Sequence, residues 1–174
     1  MEEPMHFKQL RELGQVAPHL QKAVGDFRHG VAVAALERIV QLCTADTKGR
    51  IGDGERISAI EPVLAAMRTF RDSLVAQAVC ACALASLTVS KKPYPRGLQG
   101  AAADGDGISL VMRAVEILGP LACAQPAKEA LCNLARNNPD NLNKAVKAGA
   151  SWLPALLNEP RVLRQDSSTG SAVG

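Results

Sequence analysis

Three stretches of this chain repeat one pattern, and that repetition limits its possible folds more than any other feature. Leu42, Leu87 and Leu134 each close an apolar run of helical character, and they stand 45 and 47 residues apart. The segments Ser58-Ala59-Ile60, Asp106-Gly107-Ile108 and Gly149-Ala150-Ser151 each open the next apolar run, at separations of 48 and 43 residues. Two independent sets of landmarks thus agree on one period, within loop insertions. A period of this size marks stacked helical units. Each unit carries an apolar stripe that it cannot bury alone, so neighbours must lean on one another.

The runs themselves read as helices. Between Val31 and Cys43 the apolar positions 32, 35, 36, 39, 40 and 43 form one broad stripe at helical spacing. Further helices are expected over 57–70, 73–89, 108–118 and 126–135, then a short one ending at Ala148 and a last one over Trp152–Leu157. Apolar residues make up 47% of the chain and aromatic residues only 3%, so the core must be built from Ala, Leu and Val. Small side chains let helices approach closely and favour an all-α stack over a sheet.

Punctuation falls between the runs. Residues 5–13 carry Met5, Leu10 and Leu13 on one helical face, Gly14 interrupts, and Pro18 suits the first turn of a second helix. Gly25 and Gly30 bracket a break, Gly119-Pro120 stops a helix, and Gly149 follows another. Residues 44–55 and 104–107 are Gly- and Asp-rich turns; neither places oxygen ligands and glycine where a calcium loop needs them. Residues 91–107, with Lys91, Lys92, Tyr94 and Arg96, read as a long basic insertion, either solvated or touching an acidic partner or anionic lipid. The tail beyond Pro160 has nothing to pack and is expected to be disordered.

The stretch Ala130-Leu-Cys-Asn-Leu-Ala-Arg-Asn-Asn-Pro-Asp-Asn141, followed by Lys147-Ala-Gly-Ala150 and Leu153-Pro-Ala-Leu-Leu157, resembles an armadillo repeat. Residues 57–70 and 75–87 resemble the variety common in algal and protist proteins. The resemblance covers about three repeats, approximately 30–73, 74–122 and 123–159, after an N-terminal helical cap over 1–29 and before the 160–174 tail. It implies a right-handed α-solenoid of helix triplets. It also implies that the longest helix of each triplet lines a concave face where extended segments or helices of partners bind.

In peptide-binding armadillo proteins an Asn on the long helix pairs with the peptide backbone, and a Trp four residues earlier forms a side-chain pocket. Here Asn133 matches the Asn, but Glu129 stands at the Trp position. The equivalent pairs upstream are Gln41 with Glu37 and Ser86 with Cys82. The ladder that reads basic nuclear-import signals is therefore missing. Asn133 either bonds a neighbouring loop or contacts a partner. Glu37, Glu129 and Arg136 fall on the same expected face. Trp152, the single Trp, either seals the end of the last repeat or anchors a partner.

Several function classes find no support. No nucleophile elbow, phosphate loop or dinucleotide fingerprint occurs, and His6, His19 and His29 all precede the repeats. No catalytic, cofactor or metal site is expected: the five Cys are odd in number, without a C-x-x-C, and read as buried thiols of a reducing, intracellular and most simply cytoplasmic compartment. A net charge of +3 is too small to argue for nucleic acid. The Met1-Glu-Glu-Pro-Met start reads as neither secretory signal nor Arg-rich transit peptide. The apolar run from Leu74 to Ser90 falls short of the roughly 20 residues that span a bilayer and reads as a fully buried helix. The expectation is a non-catalytic scaffold that binds other proteins, or else a subunit built permanently into a large complex.

Overall fold

The computed structural model describes residues 10–89, 96–119 and 124–158. Among these the chain is all-helical, with no strand. The order is α1 (Leu13–Gly25), α2 (His29–Ala45), α3 (Asp53–Thr69), α4 (Leu74–Thr88), α5 (Arg96–Asp104), α6 (Gly107–Leu118), α7 (Ala124–Ala135), α8 (Pro139–Lys147) and α9 (Leu153–Asn158). The expectations for residues 1–9, Lys91, Lys92, Tyr94, Cys123 and the 160–174 tail lie outside the described residues.

Packing follows the stripes. On α2 the buried residues are Ala32, Ala35, Leu36 and Ile39, with Val40 and Cys43 half-buried beside them, as the spacing predicts. Helices α1 and α2, α3 and α4, and α6 and α7 form packed pairs. The pairs adjoin one another in two rows. In one row α2 packs on α4 and α4 on α7, the helices that carry Leu42, Leu87 and Leu134. In the other row α1 packs on α3, which meets α6, with α5 set between α3, α6 and α7. Alanines at Ala35, Ala81, Ala83, Ala127 and Ala130 are fully buried, which is how a core so poor in aromatics closes.

Three local expectations are corrected. Gly14 does not interrupt: α1 runs from Leu13 through Pro18 to Gly25. Pro18 forfeits only the bond to the Gly14 carbonyl, and Gly14 is exposed, so water can take that carbonyl. Burial of Leu13, Val16, Ala17, Leu20, Ala23 and Val24 on one stripe outweighs the loss. Gly30 lies inside α2, and the chain turns instead at Asp26–Arg28, with Phe27 in the left-handed region at φ 54°. The presumed 91–107 insertion contains a helix, α5, whose Leu98, Gln99 and Ala102 are buried despite Gly97 and Gly100. The flanking turn behaves as expected: Asp106 takes φ 59° and α6 starts at Gly107.

Four of the buried polar side chains share one task. Arg56, Gln77, Gln99 and Asn141 donate to carbonyls at the C-terminal ends of neighbouring helices, whereas buried Thr88 bonds back within α4 to Leu84 and Ala85. The last carbonyls of a helix have no intrahelical partner, and burial without one is costly. From α3, the Arg56 Nη1 donates to the Ser86 carbonyl at 2.9 Å and to Leu87 and Val89 at 3.4 Å, closing the end of α4. From α4, Gln77 Nε2 donates to Met67 (2.9 Å) and Phe70 (3.2 Å), closing α3. From α5, Gln99 Nε2 donates to Asn133 (2.9 Å) and Arg136 (2.8 Å), closing α7, while its Oε1 accepts from Asn138 Nδ2. Asn141 completes that end by donating to Leu134 at 3.0 Å.

Arg56 is itself held by Asp46, at 3.4 Å between Nη2 and Oδ2. Asp46 also accepts from the backbone N–H groups of Arg50 (2.7 Å) and Ile51 (3.0 Å), folding the Gly-rich loop around its carboxylate. The Ile51 N–H, then the Arg50 N–H and the Arg56 charge, hold this carboxyl below its ordinary range against the opposing effect of burial.

Candidate partner-binding face

Of the sequence-predicted contact residues, Glu37 and Gln41 lie on α2, Ser86 on α4, and Glu129 and Asn133 on α7, the helices of one row. On α2, Glu37 and Gln41 are exposed one turn apart, and Gln41 Oε1 accepts from Arg38 Nη1 at 3.1 Å. Arg38 also reaches back to the Leu10 carbonyl, so its charge is anchored rather than free to sweep the face. On α7, Glu129 is exposed and Gln125 Nε2 donates to it at 3.3 Å. Arg136 is half-buried at the end of that helix, and its Nε is shielded from water without a hydrogen-bond partner.

Asn133 is half-buried, and its amide is spent inside the molecule. Nδ2 donates to the Ala85 carbonyl at 3.2 Å and to Thr88 Oγ1 at 3.4 Å, tying α7 to the end of α4. Its amide thus bonds a neighbouring element, here the end of a helix. Ser86 is half-buried on α4 and its carbonyl receives Arg56. Trp152 stands apart from this group: it is half-buried just before α9, with Lys128 Nζ 5.8 Å from its ring centre. That contact sets the ring beside the first half of α7.

Helix α4 departs from the expectation of complete burial. Leu74, Val75 and Val89 are exposed, and Ala78, Val79, Cys82 and Ser86 are half-buried. Residues 75, 78, 79, 82, 86 and 89 recur at steps of three and four and form one stripe. The stripe carries no charge, and its flanks on α2 and α7 carry Glu37 and Glu129. An all-round apolar run hides which side stays open, so the sequence alone did not single out Val75, Val79 or Val89.

Cys80 lies beneath the stripe and burial pushes its thiol up; Cys43 on α2 is pushed up to about 11 by burial, so neither supplies a thiolate near neutral pH. Among the described residues no cluster of His, Cys, Asp and Glu is positioned to hold a metal ion, and no helix is long and apolar enough to cross a membrane. Comparison with protein-family models, with curated proteins and with solved structures gives no match for this chain.

Proposed function

We propose that the chain is a non-catalytic scaffold of armadillo-like units, wound as a right-handed α-solenoid, that binds other proteins through the open side of the α2–α4–α7 row. The carrying observation is the row itself. The three helices that share the Leu42, Leu87 and Leu134 landmarks pack in sequence, and the unpacked side of α4 holds an uncharged stripe, with Glu37 exposed on α2 and Glu129 on α7. A stacked array has no closed core to shelter chemistry, whereas its long side offers a continuous surface to a partner. The test is affinity capture by the full chain carrying Val79→Asp, or Glu37→Lys with Glu129→Lys. Both variants are expected to keep the wild-type far-ultraviolet spectrum and to lose partners. Retention of every partner by both variants refutes the reading. Asn133 is unsuitable as the probe, because its truncation also unties α7 from α4.

A second reading, a subunit fixed within a larger assembly, draws on the exposed Val146 and Leu156 at the α8–α9 end. Light scattering after size exclusion separates the two: a stable monomer fits the scaffold, and insolubility without companions fits the subunit.

A further inference from the structure

Helix α9 repeats a pattern of burial set by α3 and α6, and breaks it at one place. Ile60, Ile108 and Ala150 stand 48 and 42 residues apart and are all buried, as are Val63, Val111 and Leu153 at the same separations. One turn further on, Ala66 and Ala114 are fully buried, but their counterpart Leu156 is 36% exposed. Leu157 beside it is half-buried, where Met67 on α3 is buried. The difference lies in what comes next. Helix α3 is paired with α4 and α6 with α7, whereas no helix follows α9 among the described residues. Helix α8 shows the same gap. Its Asn141 and Ala145 are buried like Leu98 and Ala102 of α5, 43 residues earlier, yet Leu142 is only half-buried where Gln99 is buried against the end of α7. Val146, on the same helix, is exposed. The unit begun by α8 and α9 thus presents the sides on which the earlier units carry their long helix.

Size and charge select the occupant of this end. In the earlier units the place is filled by α4 and α7, of 15 and 12 residues, so a helix about 18–22 Å long fits it. Residues 159–174 do not supply one from their sequence: Pro160 and Gly170 interrupt them, and Val162, Leu163 and Val173 are their only large apolar residues. Charge disfavours a second copy. Residues 124–158 carry Lys128, Arg136, Lys144 and Lys147 against Glu129 and Asp140, and Glu129 already accepts from Gln125. Two such ends brought together repel. Carboxylates on a guest are instead drawn to the exposed Lys144 and Lys147 and to Lys128 beside Trp152.

We propose, resting on the view above that other proteins bind this chain, that Leu142, Val146, Leu156 and Leu157 seat an amphipathic helix of a partner protein, which completes the third unit and borders its apolar stripe with Asp or Glu. The test is photochemical cross-linking by the full chain, in extract of the source cells, from a benzophenone side chain at position 156, with positions 79 and 21 as references. The captured segment is then synthesised and titrated against the chain. It is expected to bear apolar residues at steps of three and four with acidic neighbours, and to gain helicity on binding. Leu156→Asp is expected to weaken that binding about 10-fold or more, and Lys144→Glu with Lys147→Glu to weaken it as well. The lysine pair is exposed and keeps the wild-type melt, so it carries the test should Leu156→Asp unfold early. A captured segment that stays extended or lacks the acidic border overturns the proposal, as does unchanged affinity in the lysine variant. Cross-links from position 156 confined to residues 159–174 or to a second copy overturn the assignment to a partner protein. Capture from position 79 with none from 156 overturns this seat and leaves the binding role standing, whereas no capture from any position overturns both.

Discussion

Replacing Gln99 with leucine isolates the device that closes α7. Gln99 is 2% exposed, and leucine nearly matches its volume while removing its polar end. The carbonyls at this end are fully accounted for: Cys132 by the Arg136 N–H, Asn133 and Arg136 by Gln99, Leu134 by Asn141, and Ala135 by the Asn138 N–H. Gln99→Leu strips two of these and leaves Asn138 Nδ2 without its acceptor. Two lost bonds at about 1 kcal/mol each, plus desolvated carbonyls at roughly 1–3 kcal/mol apiece where water cannot enter, set the upper side. Added apolar burial offsets about 1 kcal/mol. The expected loss is about 2–3 kcal/mol, a large share of the 5–15 kcal/mol typical of a domain. Urea unfolding followed by circular dichroism measures it as a lower midpoint at unchanged slope. The control is Gln125→Leu on the exposed side of α7, the helix that Gln99 closes, expected within about 0.5 kcal/mol of wild type. Hydrogen exchange should also quicken in α8, which is held by the same cluster. A loss below about 0.5 kcal/mol for Gln99→Leu would refute the claim that buried side chains close these helix ends.

Two further outcomes are expected. The Asp46 carboxyl is held below its ordinary range when folded, so its contribution is present above the usual value of about 3.9 and fades as pH falls below it; thermal melts from neutral pH down to about 2.5 should therefore lose less for Asp46→Asn than for wild type, and parallel curves contradict the loop geometry. Glycines in the α5–α6 region separate by position: a Cβ at Gly107 falls inside contact with the Ala102 carbonyl and 3.3 Å from Leu64 Cδ2, whereas one at Gly100 meets nothing within 4 Å. Gly107→Ala should cost upwards of about 2 kcal/mol, and Gly100→Ala should stabilise by roughly 0.5–1 kcal/mol; neutral behaviour of both in urea unfolding would argue that 96–104 is not a helix.

Local rules made much of the fold legible. The 3.6-residue stripe of 31–43 identified the buried side of α2. Ser73 and Asn138 cap α4 and α8 by accepting from Ala76 and Asn141, as Ser and Asn before an apolar or Pro-led run do. Gly149 takes φ 109° after α8, where a side chain would be strained. Each of these signals is read within a turn or two of where it acts.

What the sequence could not state is settled across longer separations. Arg56 and Gln99 read as an ordinary charge and an ordinary amide, and only packing brings them to carbonyls roughly thirty to forty residues away. The same holds for Asn133: its position in the repeat left a neighbouring element and a partner both open, and only packing brings the end of α4 to its amide. Helix α5 contradicts its two glycines because Leu98 and Ala102 are buried between α3 and α7, a gain no local propensity contains. Periodicity along one helix tells which residues seek cover, but which side of an all-apolar helix stays uncovered, and which helix end needs a donor, depends on the neighbours that folding places beside it.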